Sequence, residues 1–114
     1  MSYSLEQIEA ISNGDKDFIQ SIVELFIDNA SSCLLEMKKG VTSKDAAKVK
    51  FYAHQIKPSI DLFEIKDAKE LVRILENESL YESVDFDQLA CNLAKFSEIV
   101  NAILLLLKNR FNIV

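Results

Sequence analysis

Apolar residues recur along the chain at spacings of three, four and seven, with polar residues filling the gaps. An α-helix turns about 100° per residue, so this spacing gathers the apolar positions on one face and predicts amphipathic helices. Ser4-Leu5-Glu6-Gln7 reads as a capping box opening a short helix, with Leu5, Ile8 and Ile11 on one face and Ser12-Asn13-Gly14 as its stop. Asp15 is placed to cap a second helix to about Lys39, with Phe18, Ile22, Leu25, Phe26, Cys33, Leu34 and Met37 as its buried stripe. Gly40 is expected to end it. Thr42 or Ser43 would cap a third helix to about Phe63, burying Ala46, Val49, Ala53, Ile56, Ile60 and Phe63. A fourth helix from about Asp67 buries Ala68, Leu71, Val72 and Leu75. Asn77 to Val84 reads as a polar link. Asp85 caps a last helix whose seam is Leu89, Leu93, Phe96, Val100, Ile103 and Leu107.

Short connections make neighbouring helices antiparallel. The expected fold class is therefore all-α, an up-down-up-down four-helix bundle with an additional short N-terminal helix. Composition agrees. The 114 residues are 49% hydrophobic, enough for a single core, and one domain is expected over residues 1–114. Gly14, Gly40 and Pro58 are the only strong structure breakers, too few for a β-rich chain of this length. No internal repeat or low-complexity segment interrupts the pattern.

A net charge of −5 gives no global attraction to nucleic acid or to an anionic membrane surface. The N-terminal residues lack the basic, apolar and small-residue regions of a signal peptide. The longest purely apolar run, Ala102 to Leu107, falls far short of the roughly 20 residues of a membrane span. A soluble, cytoplasmic protein is expected. Cys33 and Cys91 both fall in apolar helical stretches without a Cys or His at metal-ligand spacing, so both are expected as reduced core thiols and no zinc site is expected.

The inventory of side chains removes most catalytic classes. The chain has one His and no glycine-rich phosphate loop, GxSxG, HExxH or CxxC. The absence of ExxH pairs argues against a di-iron bundle. What remains is Ala53-His54-Gln55-Ile56-Lys57-Pro58-Ser59-Ile60 on the third helix. His54 falls roughly 140° from the centre of the buried stripe, facing solvent or the bundle shoulder. Lys50, Lys57 and Asp61 share its side of the helix. An imidazole becomes a nucleophile when one ring nitrogen is held and the other is free. A nearby lysine would balance an added phosphoryl group, which carries close to two negative charges. On spacing alone, a solvated His beside a solvated Lys accounts for the same residues.

The segment AHQIKPSIDLFE resembles the pattern AHxLKGSSxxLG of the histidine-containing phosphotransfer (HPt) domains of bacterial two-component phosphorelays. His54 matches the phosphoacceptor and Lys57 the nearby lysine, while Ala53, Ile56, Ser59 and Phe63 match the helical framework. The likeness extends upstream through Gly14-Asp15 and Phe18 to Phe26, and downstream through Ala68 and Leu71 to Glu76. The last helix matches only as an apolar helix of the right length. Pro58 and Glu64 stand where the pattern has glycine. The turn after Phe63 then has to form without glycine, which is possible if no residue there requires a positive φ. Pro58 is expected to bend the third helix beside His54 and to leave the His54 carbonyl without its helical donor.

A hairpin of the third and fourth helices centred near Ile65 puts His54 and Glu76 at similar height. Glu76 is the candidate to hold one ring nitrogen; a solvated glutamate is the alternative. From Lys38 to Lys57 there are six lysines and one acid, Asp45, a basic stretch suited to steering an acidic partner, or simply a solvated helix. Phe51, Pro58 and Leu62 lie on the outer side, as a docking patch with Lys50 and Asp61 or as packing against the N-terminal helix. The resemblance implies a phosphocarrier without kinase activity, a monomer that exchanges a phosphoryl group on His54 with the phospho-Asp of a receiver domain in a response regulator or hybrid sensor kinase. It implies no cofactor on this chain, with Mg²⁺ on the receiver. The alternative is a non-phosphorylated adaptor or inhibitor that binds a receiver or kinase.

Overall fold

The computed structural model describes residues 2–78 and 83–113. Within them the chain is all-helical: α1 Glu6–Ser12, α2 Lys16–Thr42, α3 Ala46–Leu62, α4 Lys66–Glu78 and α5 Phe86–Phe111. Contacts run from α2 to α3, α3 to α4, α4 to α5 and α5 back to α2, closing a ring of four helices, with α1 against α2. The inner faces meet in one core that includes Met37, Ile60, Phe63, Leu75, Phe96 and Ile103, and Phe26 stacks on Phe63 with ring centroids 4.2 Å apart.

Three aspartates start the long helices. Asp15 accepts from the N–H groups of Asp17 and Phe18, Asp45 from Lys48 and Asp85 from Gln88, each satisfying donors that the first turn leaves unpaired. Asp45, and neither Thr42 nor Ser43, caps α3, because the preceding helix is longer than its glycine suggests. α2 runs through Gly40 to Thr42. Gly40 is buried and exists for close approach: an added Cβ would stand 2.9 Å from Val49 Cγ2 and 3.1 Å from the Asp45 carbonyl oxygen. Gly40→Ala gains about 1 kcal/mol of helix propensity but overpacks this contact by about 1–3 kcal/mol. A net loss of about 1 kcal/mol is expected in urea unfolding, and a variant as stable as the parent would show that Val49 yields instead.

The expected capping box at Ser4 does not form. α1 begins at Glu6, whose N–H is bonded to Ser4 Oγ at 3.2 Å, and Gln7 turns away to donate to the Asp61 carbonyl at 3.4 Å. A second tie, from Ser4 N–H to the Phe63 carbonyl at 2.8 Å, fastens the N-terminal segment to the end of α3. The turn after Phe63 also departs from expectation. Glu64 takes φ 50°, a left-handed conformation that costs a residue with a Cβ about 1–2 kcal/mol. α3 continues through Pro58 to Leu62, so the His54 carbonyl receives no N–H from position 58.

The stripes of α3, α4 and α5 are buried largely as the spacing predicts, with Ala46 and Leu71 only half-buried. α2 is not phased as expected in its first half: Ile19, Val23, Phe26, Ile27 and Ala30 face inward, Ile22 is half-buried, and Phe18 and Leu25 are exposed. Ile11 is 65% exposed because α1 ends one residue later and carries it past the core. Cys33 is buried, which pushes its thiol pKa up, but Cys91 is exposed, about 200° around α5 from Leu89. α4 reaches Glu78, so the expected link begins later than Asn77 and lies partly outside the described residues. By length and composition α2 and α5 could each cross a membrane, yet both carry the core stripes of this fold.

Candidate functional site

α3 carries His54 on the face away from its buried stripe, leaving the imidazole 76% exposed. α4 returns beside it through the turn at Phe63–Ile65 and brings Glu76 to the same height. The Glu76 side chain is only 15% exposed, and its two oxygens divide their partners: Oε2 lies 2.7 Å from His54 Nδ1, and Oε1 accepts from Lys57 Nζ at 3.5 Å. His54 and Lys57, one turn apart on α3, are thus joined through a single carboxylate on α4.

The geometry of this triad favours one tautomer of the neutral ring. The hydrogen bond from His54, helped by the charge of Lys57, holds the Glu76 carboxyl below the usual carboxylate range. Glu76 is therefore ionised at neutral pH, and an ionised carboxylate only accepts hydrogen bonds. Nδ1 must be the protonated nitrogen, so in the neutral ring Nε2 keeps its lone pair. The arrangement offers an exposed imidazole with one nitrogen pinned, the other bare, and a cation within one turn.

Lys50, Phe51 and His54 line a shallow surface depression together with Ala47 and Gln55. Phe51 is 61% exposed and stands edge-on to Tyr52, with centroids 4.9 Å apart. Pro58 and Asp61 are exposed further along α3, whereas Leu62 is half-buried and packs against the core. Ala47 and Gln55 were not singled out in the sequence. Helical spacing held the signal, since Ala47 lies two turns before His54 and Gln55 one turn after Phe51.

Of the six lysines between Lys38 and Lys57, Lys39 and Lys48 pair with Glu36 at 3.3 and 3.0 Å and Lys57 with Glu76. Lys38, Lys44 and Lys50 make no ion pair among the described residues, and Lys50 carries the exposed charge nearest the depression. No group of three His, Cys, Asp or Glu side chains is placed to hold a metal ion among the described residues.

No curated protein and no solved structure matches the chain. A family model described as the Hpt domain does, over residues 21–109, a span that takes in α3, α4 and nearly all of α2 and α5. A match over most of the sequence, centred on the helices that carry His54, Lys57 and Glu76, places this chain in the Hpt domain family, the phosphocarrier modules of two-component signalling.

Proposed function

We propose that the chain is a phosphorelay intermediate that accepts a phosphoryl group on His54 from the phospho-Asp of a receiver domain and donates it to another. The observation that carries this reading is the 2.7 Å contact between His54 Nδ1 and Glu76, which in the neutral ring leaves the Nε2 lone pair available on an exposed side chain. The Nε2 lone pair attacks phosphorus as the bond from phosphorus to the Asp oxygen breaks, and the bonding pair leaves with the Asp carboxylate. The ring becomes cationic while Nδ1 keeps its proton, and Glu76 faces that charge directly. The reverse sequence returns the phosphoryl group to a second receiver. Mg²⁺ held by the receiver would neutralise charge on the transferring phosphoryl group, and the reading assigns no cofactor to this chain.

In this reading the closed ring of α2 to α5 is an up-down-up-down four-helix bundle, and residues 1–114 act as one cytoplasmic, monomeric domain. The receiver docks over the depression beside His54, with Phe51 and Pro58 as apolar contacts and Lys50 and Asp61 at the rim. The His54 carbonyl, without a donor from Pro58, is open to a hydrogen bond from the partner. Incubation with phosphorylated receiver domains is expected to place acid-labile, base-stable phosphate on the chain. Receivers that dock without transferring phosphate would show an adaptor instead.

Lys57 has its largest role once phosphate arrives, because its ammonium lies one turn from the added charge. Its side chain is 40% exposed, so solvent screens the attraction. Lys57→Ala is expected to slow transfer or shorten the phosphohistidine lifetime by about fivefold, with helix content intact. An unchanged rate and lifetime would reduce Lys57 to a surface lysine.

A further inference from the structure

Asn92 is buried to 7% exposure, the one polar side chain so deeply placed among the described residues. It occupies the core stripe of α5 between Leu89 and Phe96, where an apolar residue would pack without needing a partner. A buried carboxamide is tolerated only if hydrogen-bonded. Its Nδ2 donates to Glu78 Oε1 at 2.6 Å, and its Oδ1 accepts from Gln88 Nε2 at 3.4 Å. The start of α5 is itself fixed by the Asp85 cap on the Gln88 N–H. A chain of directional bonds therefore runs from the first turns of α5 to the last residue of α4.

Glu78 follows Glu76 by two positions, about 200° around the helix, so the two carboxylates leave the last turn of α4 on nearly opposite sides. One is gripped by Asn92 from α5 and the other by His54 and Lys57 from α3. A terminal turn has the least support from its own backbone and is the part of a helix most prone to open. We infer that Asn92 is a positioning residue for phosphotransfer: by anchoring Glu78 it holds the last turn of α4, and with it Glu76, in register with His54. This rests on the proposed transfer at His54. It also gives the buried polar side chain a task that leucine cannot perform, since apolar packing fixes depth but not register along the helix.

The test uses the full chain as Asn92→Leu, Glu78→Leu and Glu78→Gln. Nitrogen chemical shifts of the His54 ring are read on the unphosphorylated protein, and transfer kinetics with a phosphorylated receiver domain. Both leucine variants are expected to keep the parental helix content while the ring nitrogens move toward a tautomeric average and Nδ1–H exchanges faster. Transfer at saturating receiver slows about threefold to tenfold, with little change in the receiver concentration at half-maximal rate. Glu78→Gln keeps an acceptor oxygen for Asn92 and is expected to retain parental ring shifts and rate. If Asn92→Leu does not fold, Glu78→Leu at its half-buried site carries the same measurement. Folded leucine variants with parental ring shifts would overturn the anchor. A parent chain that takes no phosphate would overturn the transfer reading alone, because the ring signals report the anchor without it.

Discussion

His54→Gln is expected to fold as the parent does and to take up no phosphoryl group from a phosphorylated receiver domain. The amide nitrogen of glutamine shares its lone pair with the carbonyl and does not attack phosphorus, and this is the only His in the chain. Loss of the nucleophile is worth on the order of 10³-fold or more, so labelling should fall to background. Folding is preserved for two reasons. The site is 76% exposed, and substitutions at such surfaces usually stay within about 0.5 kcal/mol. The glutamine amide also has N–H donors with which to replace Nδ1–H at the Glu76 carboxylate. The measurement is phosphate incorporation beside a thermal melt, and persistent labelling of a folded variant would move the acceptor to another residue.

How far the chain could be read without coordinates depended on how many phases its apolar residues allow. In α3, Val49, Ala53, Ile56 and Ile60 admit one stripe, continued by Phe63 at its C-cap, and this fixed the outward direction of His54. In the first half of α2, Phe18, Ile22 and Leu25 keep helical spacing as well as Ile19, Val23 and Phe26 do. Spacing cannot choose between two such faces; packing against α3 and α5 does, and it buries the second set. Cys91 shows the same limit, because an apolar helix needs only one of its faces inside.

The polar anchors were harder. Gly40 reads locally as a helix stop, and only the approach of Val49 and Asp45 from α3 shows it as a packing residue. Asn92 falls on the α5 stripe by spacing alone, but a polar side chain there is read as an interruption until its partner Glu78, fourteen residues earlier, is known. Glu64 accepts a left-handed conformation that composition assigns to glycine, since the hairpin geometry requires that turn whatever residue occupies it. The contact of Glu76 with His54 was legible because it depends only on equal distance from the turn at Ile65.

Glu76 should be the second most sensitive position. In the proposed transfer its carboxylate would act on His54 in three ways: it would fix the proton on Nδ1, hold the ring from the α4 side, and face the positive charge that develops when Nε2 takes the phosphoryl group. Glu76→Leu removes all three. Outer partners that orient a reactive imidazole are typically worth about 10–100-fold, and the upper end is expected here because the carboxylate is 15% exposed and poorly screened. Glu76→Gln separates the effects. Its amide oxygen can still accept from Nδ1–H, so the tautomer and the ring plane persist, but the opposing charge is gone. Transfer by the glutamine variant should fall about tenfold, between parent and leucine, while its ring nitrogen shifts stay near the parental values. Neither change should unfold the chain, since leucine and glutamine are close to glutamate in volume and refill its largely buried site. Should Glu76→Leu transfer phosphate at the parental rate, the 2.7 Å contact would be a surface ion pair without a part in the reaction.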